Sequence, residues 1–211
     1  MVGAIHELPL HWDNMSKTEL EKWEQKYKGG EYTPNDSPSA LLVDWIPRIP
    51  KGKALDVACG MGRNALFLAQ QGFAVDAVDI SSAGLAIARQ KALETGLTVN
   101  WIQADLDTFG LPSQTYDFII DNFYLNRPLT PKIIEALTPE GILIFEHHVL
   151  PRRDTACHVS TPRAPMNPEL KLKPGELKAL FRSLEILHYE EGPVLKDGGP
   201  VELAQLVARK V

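Results

Sequence analysis

The stretch KALDVACGMGRN at residues 53–64 constrains this chain most, because an apolar run opens directly into a turn that contains two glycines. Residues 53–58 have the length and composition of a buried strand in a parallel sheet. Gly60 and Gly62 permit backbone angles or close approaches that a Cβ would prevent, and apolar residues in 63–71 fit a covering helix. The sequence therefore predicts a strand, a glycine turn and a helix whose backbone can approach a nucleoside.

Acidic residues around this turn favour one kind of nucleoside. The pattern G-x-G-x-x-A at 60–65, with Asp79 nineteen residues beyond its first glycine, also fits the dinucleotide fingerprint. Asp56 precedes the turn, however, and Asp105 follows a third apolar run. Carboxylates at these places would repel a pyrophosphate and would tolerate a ligand that bears an ammonium and a sulfonium. A nicotinamide enzyme is the alternative interpretation.

Three segments in this order resemble the motifs of the class I S-adenosylmethionine (SAM) dependent methyltransferases. DVACGMG at 56–62 resembles their first motif, Asp79 the ribose-binding acid, and Asp105-Leu106 the pair beside the adenine. The resemblance runs from about residue 50 to the C-terminus and implies SAM as cofactor and S-adenosylhomocysteine as product. It also implies a doubly wound α/β fold with helices on both faces. The expected sheet has seven mostly parallel strands in the order 3-2-1-4-5-7-6, with one antiparallel C-terminal strand.

The hydrophobic pattern along the chain fits this architecture. It predicts strands over 53–58, 73–79, 98–103, 115–121, 141–149, 183–191 and 200–209. It predicts helices over 16–28, 39–45, 63–71, 82–95, 129–138 and 174–182, the first of them with a capping signal at Ser16 and Glu19. The short KDGGP turn makes the last two strands an antiparallel hairpin. We predict one domain over 1–211, in which 1–50 form a helical lid segment.

Composition limits the partners. The formal charge of −5 comes from interspersed acids and bases, which disfavours a nucleic-acid or anionic-membrane surface. Two cysteines give no disulfide framework and fit a reducing compartment. The chain lacks a signal-like start and any apolar run long enough to span a membrane. We therefore predict a cytoplasmic monomer or homodimer that acts on a small molecule, with no nucleic-acid partner, no membrane and no metal.

Over nearly its whole length the chain resembles the tellurite-resistance and thiopurine methyltransferase group. The matching segments are W-x-x-x-Y at 23–27, GGEY at 29–32, CGMGRN at 59–64, YLNRPL at 124–129 and NPELKLKPGEL at 167–177. The resemblance implies that the aromatic residues of the first two segments fold over the cofactor. The predicted cofactor-binding residues are Trp23, Tyr27, Tyr32, Asp56, Gly60, Gly62, Arg63, Asn64, Asp79, Ile80, Asp105, Leu106 and Asp121.

The acceptor side is predicted where the fourth and fifth strands end. Residues 150–173 hold five Lys or Arg against two acids in a chain that is acidic overall, which suits an anionic ligand. The substrate-side candidates are Tyr124, Arg127, His147, His148, Arg152 and Arg163, and no residue is assigned as catalytic. The alternatives are a solvated basic loop and a zinc site formed by His147, His148, Cys157 and His158.

The predicted reaction is methyl transfer to a small soft or anionic acceptor, such as a tellurite- or selenite-like oxyanion or a thiol. Transfer from a sulfonium is an in-line displacement, so alignment and desolvation can drive it without a general base. Two alternatives stay open. One is a methyltransferase for another small metabolite, with His147 or His148 as base. The other is a non-catalytic SAM-binding regulatory protein.

Overall fold

The computed structural model describes residues 10–29, 36–151, 167–196 and 199–211. Its helices are α1 (Leu10–Lys28), α2 (Ala40–Trp45), α3 (Arg63–Gln70), α4 (Ser82–Thr95), α5 (Thr130–Ala136) and α6 (Glu176–Leu180). Its strands are β1 (Lys53–Val57), β2 (Ala74–Asp79), β3 (Asn100–Gln103), β4 (Tyr116–Asn122), β5 (Leu137–His148), β6 (Glu185–Lys196) and β7 (Gly199–Arg209). Short 3-10 turns precede β1, α5 and α6.

The strands form one seven-stranded sheet in the order β3-β2-β1-β4-β5-β7-β6. Strands β1 to β5 pair in parallel, while β7 runs antiparallel to both of its neighbours, β5 and β6. The predicted fold class and strand order are confirmed. A parallel pair needs a crossover connection and a hairpin does not, which is why the chain changes its pattern after α6.

Apolar residues bury the sheet from both sides. Leu55 and Val57 of β1 pack into one core cluster with residues of α5 and α6, whereas Ala54 faces a second cluster with residues of α2, α3 and α4. This alternation follows from the strand geometry, in which successive side chains point to opposite faces. Near-continuous apolar runs in β1, β2 and β4 are the sequence signature of such double burial.

Helices α1, α5 and α6 differ from the predictions by two or more residues, and α6 is shorter at both ends than the predicted 174–182. Helix α1 begins at Leu10 and not at Ser16, so the capping signal lies inside the helix. Residues 10–15 contain no glycine or proline that would oppose the helix. Helix α5 ends at Ala136 and not at 138. Pro139 disfavours the helical conformation of the residue before it, and β5 begins instead.

The carboxyl ends of β1, β2, β4 and β5 lie along one edge of the sheet because these strands are parallel. We call the ends of β1 to β3 the cofactor edge (residues 56–65, 79–84 and 103–106). The ends of β4 and β5 with the facing part of β7 are the acceptor edge (residues 121–127, 146–149 and 203–205). Within the described ranges, none of the helices is long and apolar enough to cross a bilayer.

Candidate active site

The glycine turn takes the strained conformation that the sequence predicts. Gly60 and Gly62 have φ angles of 54° and 79°, in the left-handed region that favours glycine. Ala58 has a φ of 51° as well, so this turn also forces a residue with a Cβ into that region. Hydrogen bonds from Cys59 N to Val78 O (3.0 Å) and from Gly62 N to Cys59 O (2.9 Å) hold the turn against β2.

Asp79 ties the end of β2 to this turn. Its carboxylate accepts hydrogen bonds from Gly60 N at 2.7 Å and from Ser81 N at 2.8 Å. Burial raises the pKa of Asp79, while these two main-chain bonds act in the opposite direction. A carboxylate has about four acceptor sites, so the two main-chain bonds leave capacity for ribose hydroxyls. The placement fits the predicted ribose role, which stays a prediction.

Asp56 and Asp121 are two buried acids on neighbouring strands. The Asp56 carboxylate accepts from Ala65 N at 2.9 Å and so caps the first turn of α3. Burial raises the pKa of Asp56 to about 7, and burial together with the nearby Asp56 raises the pKa of Asp121 well above its usual range. A cation placed near both would favour their charged forms. The ammonium of SAM fits this requirement, so the pair is suited to the cofactor that the motifs predict.

A cavity of about 350 Å³ opens where β2 and β3 end. Ile80 and Asp105, both predicted beside the adenine, line it together with Gln103, Ala104, Lys17 and Leu20. Leu106 does not line it: the side chain is 4% exposed and packs in the core with Val57 and Val78. The core beneath the cavity takes up most of this apolar side chain, and the predicted contact of Leu106 with the adenine stays a prediction.

Helix α1 lies across the glycine turn. Trp23 and Tyr27 stack with ring centroids 5.8 Å apart, and Tyr27 packs against two glycines. A Cβ at Gly60 would lie 2.7 Å from the Tyr27 hydroxyl oxygen, and one at Gly84 would lie 3.0 Å from the Tyr27 ring. The aromatic pair thus stands where the resemblance implies a cover for the cofactor. Tyr32 lies outside the described residues.

Sequence reasoning missed the contact that Glu24 of α1 makes with the start of α4. Its carboxylate accepts from Ser82 Oγ at 3.0 Å, from Ser81 Oγ at 3.1 Å and from Ala83 N at 3.1 Å. Burial raises the pKa of Glu24, but Lys28 and these three donors outweigh burial and lower it to about 2. The available signal was weak: an acid on α1 and a pair of serines at a helix start 57 residues later.

Arg63 and Asn64, both predicted at the cofactor, hold the segment before α2 onto α3. The Arg63 guanidinium donates to the Asn122 side chain and, at 3.2 Å, to the Ser37 carbonyl. The Asn64 side-chain oxygen accepts from Ser39 N at 2.9 Å. Both residues therefore have structural partners at the turn, and their contact with the cofactor stays a prediction.

A row of hydrogen-bonded side chains crosses the acceptor edge. Asn122 of β4, Glu146 of β5 and Gln205 of β7 are register neighbours. Asn122 Nδ2 donates to Glu146 Oε1 at 3.2 Å and Gln205 Nε2 donates to Glu146 Oε2 at 2.5 Å, with Glu146 only 1% exposed. Sequence reasoning missed Gln205, because only the strand register brings it beside Glu146.

His147 and His148 pack with Phe123 beside this row. The Nδ1 atom of His147 lies 3.1 Å from the His148 carbonyl oxygen, and the Phe123 and His148 rings are 5.0 Å apart. Burial lowers the pKa of the His147 ring, and Arg127 adds to that effect. Burial therefore favours the neutral form of His147, whose Nδ1 faces that carbonyl. Phe123 itself has a φ of 69°, a strained angle held by its N–H bond to Glu146 O (2.8 Å).

The Arg127 side chain binds other residues of the same chain. Its guanidinium binds Glu176 through Nε to Oε1 at 2.5 Å and Nη2 to Oε2 at 3.1 Å, and it also reaches the Lys171 carbonyl at 3.0 Å. This bidentate pair joins the turn before α5 to the first turn of α6, and it gives no support to the predicted acceptor contact. Tyr124 accepts from Asn126 Nδ2 at 3.2 Å. Arg152 and Arg163 lie outside the described residues.

Comparisons with known proteins agree with this geometry. Residues 54–141 match the family described as "Methyltransferase domain". The ubiquinone biosynthesis O-methyltransferase of Pasteurella multocida is 35% identical over 157 residues, which cover 63% of this chain and 64% of that protein. The probable SAM-dependent methyltransferase TehB of Haemophilus influenzae is 26% identical over 156 residues, covering 71% and 52% of the two chains.

Solved structures share the fold. One solved structure is described as "Conversion of a Disulfide Bond into a Thioacetal Group during Echinomycin Biosynthesis". The match covers 91% of this chain and 92% of that chain, at 23% sequence identity and a TM-score of 0.71. TehB from Haemophilus influenzae covers 90% and 67% at 22% identity, with a TM-score of 0.69.

Fold and sequence together define the class: the chain resembles the class I SAM-dependent methyltransferases, and the predicted cofactor, SAM, is confirmed with that class. Within the class it resembles TehB in both sequence and structure. The matched region spans 64% of the Pasteurella protein and 52% of TehB, so it is shorter than two thirds of each.

Proposed function

We propose that this chain is an enzyme that transfers the methyl group of SAM to a small soft nucleophile, either a thiol or a selenite- or tellurite-like oxyanion. One observation carries the proposal: the described titratable groups at the acceptor edge are engaged with protein partners. Glu146 binds two amides, the His147 ring contacts the His148 carbonyl, and Asp121 accepts from Tyr124 N.

Such an edge suits an acceptor that ionises by itself. A thiol has a pKa of about 8.5, so a useful fraction is thiolate near neutral pH without help from the enzyme. Selenite and tellurite carry their charge already. The protein then has to align the nucleophile with the sulfonium methyl and exclude water, which can supply several kcal/mol of the barrier reduction.

The cofactor would be held by the cofactor edge. Bound SAM supplies the activated methyl group. Asp79 is placed to accept from ribose hydroxyls, Ile80 and Asp105 line the adenine cavity, and Asp56 with Asp121 face the ammonium. Asp79, Ile80, Asp105 and Asp56 belong to the cofactor edge, and Asp121 adjoins it at the end of the neighbouring strand β4. This assignment also explains why two buried acids occur together.

An oxyanion needs a cation, whereas a thiol does not. Glu176 binds Arg127, so the cation we propose for an oxyanion is Arg152 or Arg163 of the basic loop. Arg163→Ala should raise the KM for an oxyanion and leave the KM for a neutral thiol and the affinity for SAM nearly unchanged. The matched control is Arg182→Ala, an exposed arginine after α6.

Methylation of a hydroxyl is the second candidate. Two observations favour it: a relative at 35% identity is named as an O-methyltransferase, and burial favours the neutral form of His147, in which one ring nitrogen can accept a proton. The Phe123 carbonyl also lies close to that ring and, as an acceptor, favours a ring N–H. A phenol has a pKa of about 10 and would need such a base.

The deciding experiment is a panel of acceptors. The purified chain is incubated with SAM and selenite, tellurite, a small thiol or catechol, and S-adenosylhomocysteine is quantified. We expect turnover with the thiol or with an oxyanion. The His147→Gln variant should retain most of that activity. Turnover with catechol alone, lost in His147→Gln, would establish the second candidate. Tight SAM binding with no turnover on any acceptor would favour the non-catalytic SAM-binding alternative.

A further inference from the structure

Helix α1 touches the cofactor edge through one carboxylate. Glu24 Oε1 receives hydrogen bonds from Ser81 Oγ, Ser82 Oγ and Ala83 N, all within 3.1 Å, while Glu24 Oε2 lies 2.9 Å from Lys28 Nζ. The Glu24 side chain is 15% exposed. A carboxylate at the first turn of a helix is favoured by the free N–H groups and the helix dipole there.

The same helix forms one wall of the cavity at the ends of β2 and β3. Lys17 and Leu20, two turns and one turn before Glu24, line the cavity together with Ile80 and Asp105. Tyr27, almost one turn after Glu24, packs on Gly60 and Gly84. The Glu24 contact therefore lies between the part of α1 that walls the adenosine cavity and the part that covers the glycine turn.

We propose that Glu24 is a positioning residue that latches α1 onto the first turn of α4, and that this latch sets how long the cofactor stays bound. With the latch closed, Lys17 and Leu20 stay against the cavity and adenosine leaves slowly. With the latch removed, α1 separates from α4 more often and adenosine leaves faster. The inference rests on the cofactor assignment and adds a residue to it.

The chain provides a matched control. Glu21 lies three residues before Glu24 on the same helix and is exposed. Glu21→Ala makes the same change in helix propensity and net charge as Glu24→Ala, but it leaves the contact with α4 intact. Ser82→Ala removes one donor to Glu24 from the α4 side, and Ser82 is an exposed residue.

The test measures dissociation of S-adenosylhomocysteine by stopped-flow displacement. Glu24→Ala should accelerate dissociation about 10-fold, a change that corresponds to the loss of hydrogen bonds to a charged group. Ser82→Ala should accelerate it about threefold, and Glu21→Ala less than twofold. Because Ser82 acts through Glu24, the double variant Glu24→Ala with Ser82→Ala should be no faster than Glu24→Ala alone.

A second readout does not need the cofactor. In the free protein, trypsin should cut α1 at Lys22 and Lys26 several times faster in Glu24→Ala than in wild type or Glu21→Ala. Equal cleavage and equal dissociation rates for the two glutamate variants would overturn the latch. Full additivity of Glu24→Ala and Ser82→Ala would do the same. A wild-type chain that binds no S-adenosylhomocysteine would overturn the cofactor assignment instead, and trypsin cleavage would still test the contact.

Discussion

The cofactor edge and the acceptor edge of this sheet are built by different kinds of contact. At the cofactor edge, acids bind main-chain N–H groups: Asp79 binds Ser81 N and Gly60 N, and Asp56 binds Ala65 N. At the acceptor edge, Asp121 also binds a main-chain N–H, but the long-range contacts join side chain to side chain, as in Arg127–Glu176 and Glu146–Gln205, 49 and 59 residues apart.

This difference bears on how each edge can change. A carboxylate that binds main-chain N–H groups depends on the backbone of the turn, which the glycines and the strand end determine together. A side-chain pair depends only on the two residues that form it, so the two can be exchanged without altering the backbone. We infer that the cofactor edge is mechanically rigid and that the acceptor edge is the part that adapts to different acceptors.

The largest expected effect tests the rigid edge. Gly62→Ala should lower the free energy of unfolding by about 3 kcal/mol, because φ at this residue is +79° and an added Cβ would lie 2.5 Å from Trp101 and 3.0 Å from Ala88. SAM affinity should fall with it. Urea unfolding and calorimetry measure the two effects.

Gly96→Ala separates backbone strain from steric overlap. Gly96 also has a positive φ, 66°, but a Cβ there would meet nothing within 4 Å. The cost should be about 1 kcal/mol, the strain alone, with SAM affinity unchanged. If Gly62→Ala cost no more than Gly96→Ala, the glycine turn would be less tightly packed than the structure indicates.

The second effect tests the acceptor edge. Glu146→Gln should destabilise the fold by about 2 kcal/mol, because one amide would face two donors, Asn122 and Gln205, and leave one of them buried without an acceptor. SAM affinity should change less than twofold. Glu190→Gln, the exposed register neighbour of Gln205 on β6, is the control and should be neutral. A large loss of SAM affinity in Glu146→Gln would erase the distinction between the edges.

The sequence predicted the cofactor edge well and the acceptor edge poorly, for the same physical reason. The glycines at 60 and 62, Asp79 and the strand ends follow from a motif with a regular spacing, which the sequence displays even where the contact spans 19 residues, as between Gly60 N and Asp79. Glu24 and Gln205 acquire partners only through helix packing and strand register, neither of which a single sequence displays. Leu106 shows a third limit, since its apolar side chain fits a cavity wall and a core equally well and the tertiary packing decides between them.

Acid–base behaviour provides a third test, again at the cofactor edge. The pKa of Asp56 is about 7 in the fold against about 3.9 unfolded, so between these values the native state holds a proton that the unfolded chain lacks. Stability of the free protein should therefore fall as pH rises, by about 1.4 kcal/mol from pH 5 to pH 6 from this group.

Asp56→Asn should remove that part of the slope while keeping an oxygen to accept from Ala65 N. Thermal unfolding of both proteins across pH 5 to 7 measures the difference. SAM should have the opposite preference, because its ammonium favours the ionised acid, so wild-type affinity should rise over the same interval. An Asp56→Asn protein with the wild-type pH slope would show that Asp56 is already ionised at pH 5.

The smallest expected effect on stability is that of Arg127→Ala. This variant tests whether the Arg127 guanidinium supports the structure or binds the substrate. Arg127→Ala removes a bidentate ion pair with Glu176 whose arginine side chain is 38% exposed, so the loss in unfolding free energy should be about 0.5 to 1 kcal/mol. Arg209→Ala is the control, because Arg209 is matched in exposure, at 37%, and also pairs with glutamates, but lies away from the acceptor edge.

The structural role and the substrate role of Arg127 differ in their kinetic signature. If Arg127 only joins the turn before α5 to α6, the KM for an oxyanion should change less than twofold in Arg127→Ala while urea unfolding shows the small loss. Glu176 would keep its bond from Lys173 N (2.7 Å), so α6 should stay in place. If the KM for selenite rises 10-fold while the free energy of unfolding is unchanged, the guanidinium binds the acceptor. Loss of a substrate contact raises KM without affecting stability, whereas loss of a structural contact lowers stability.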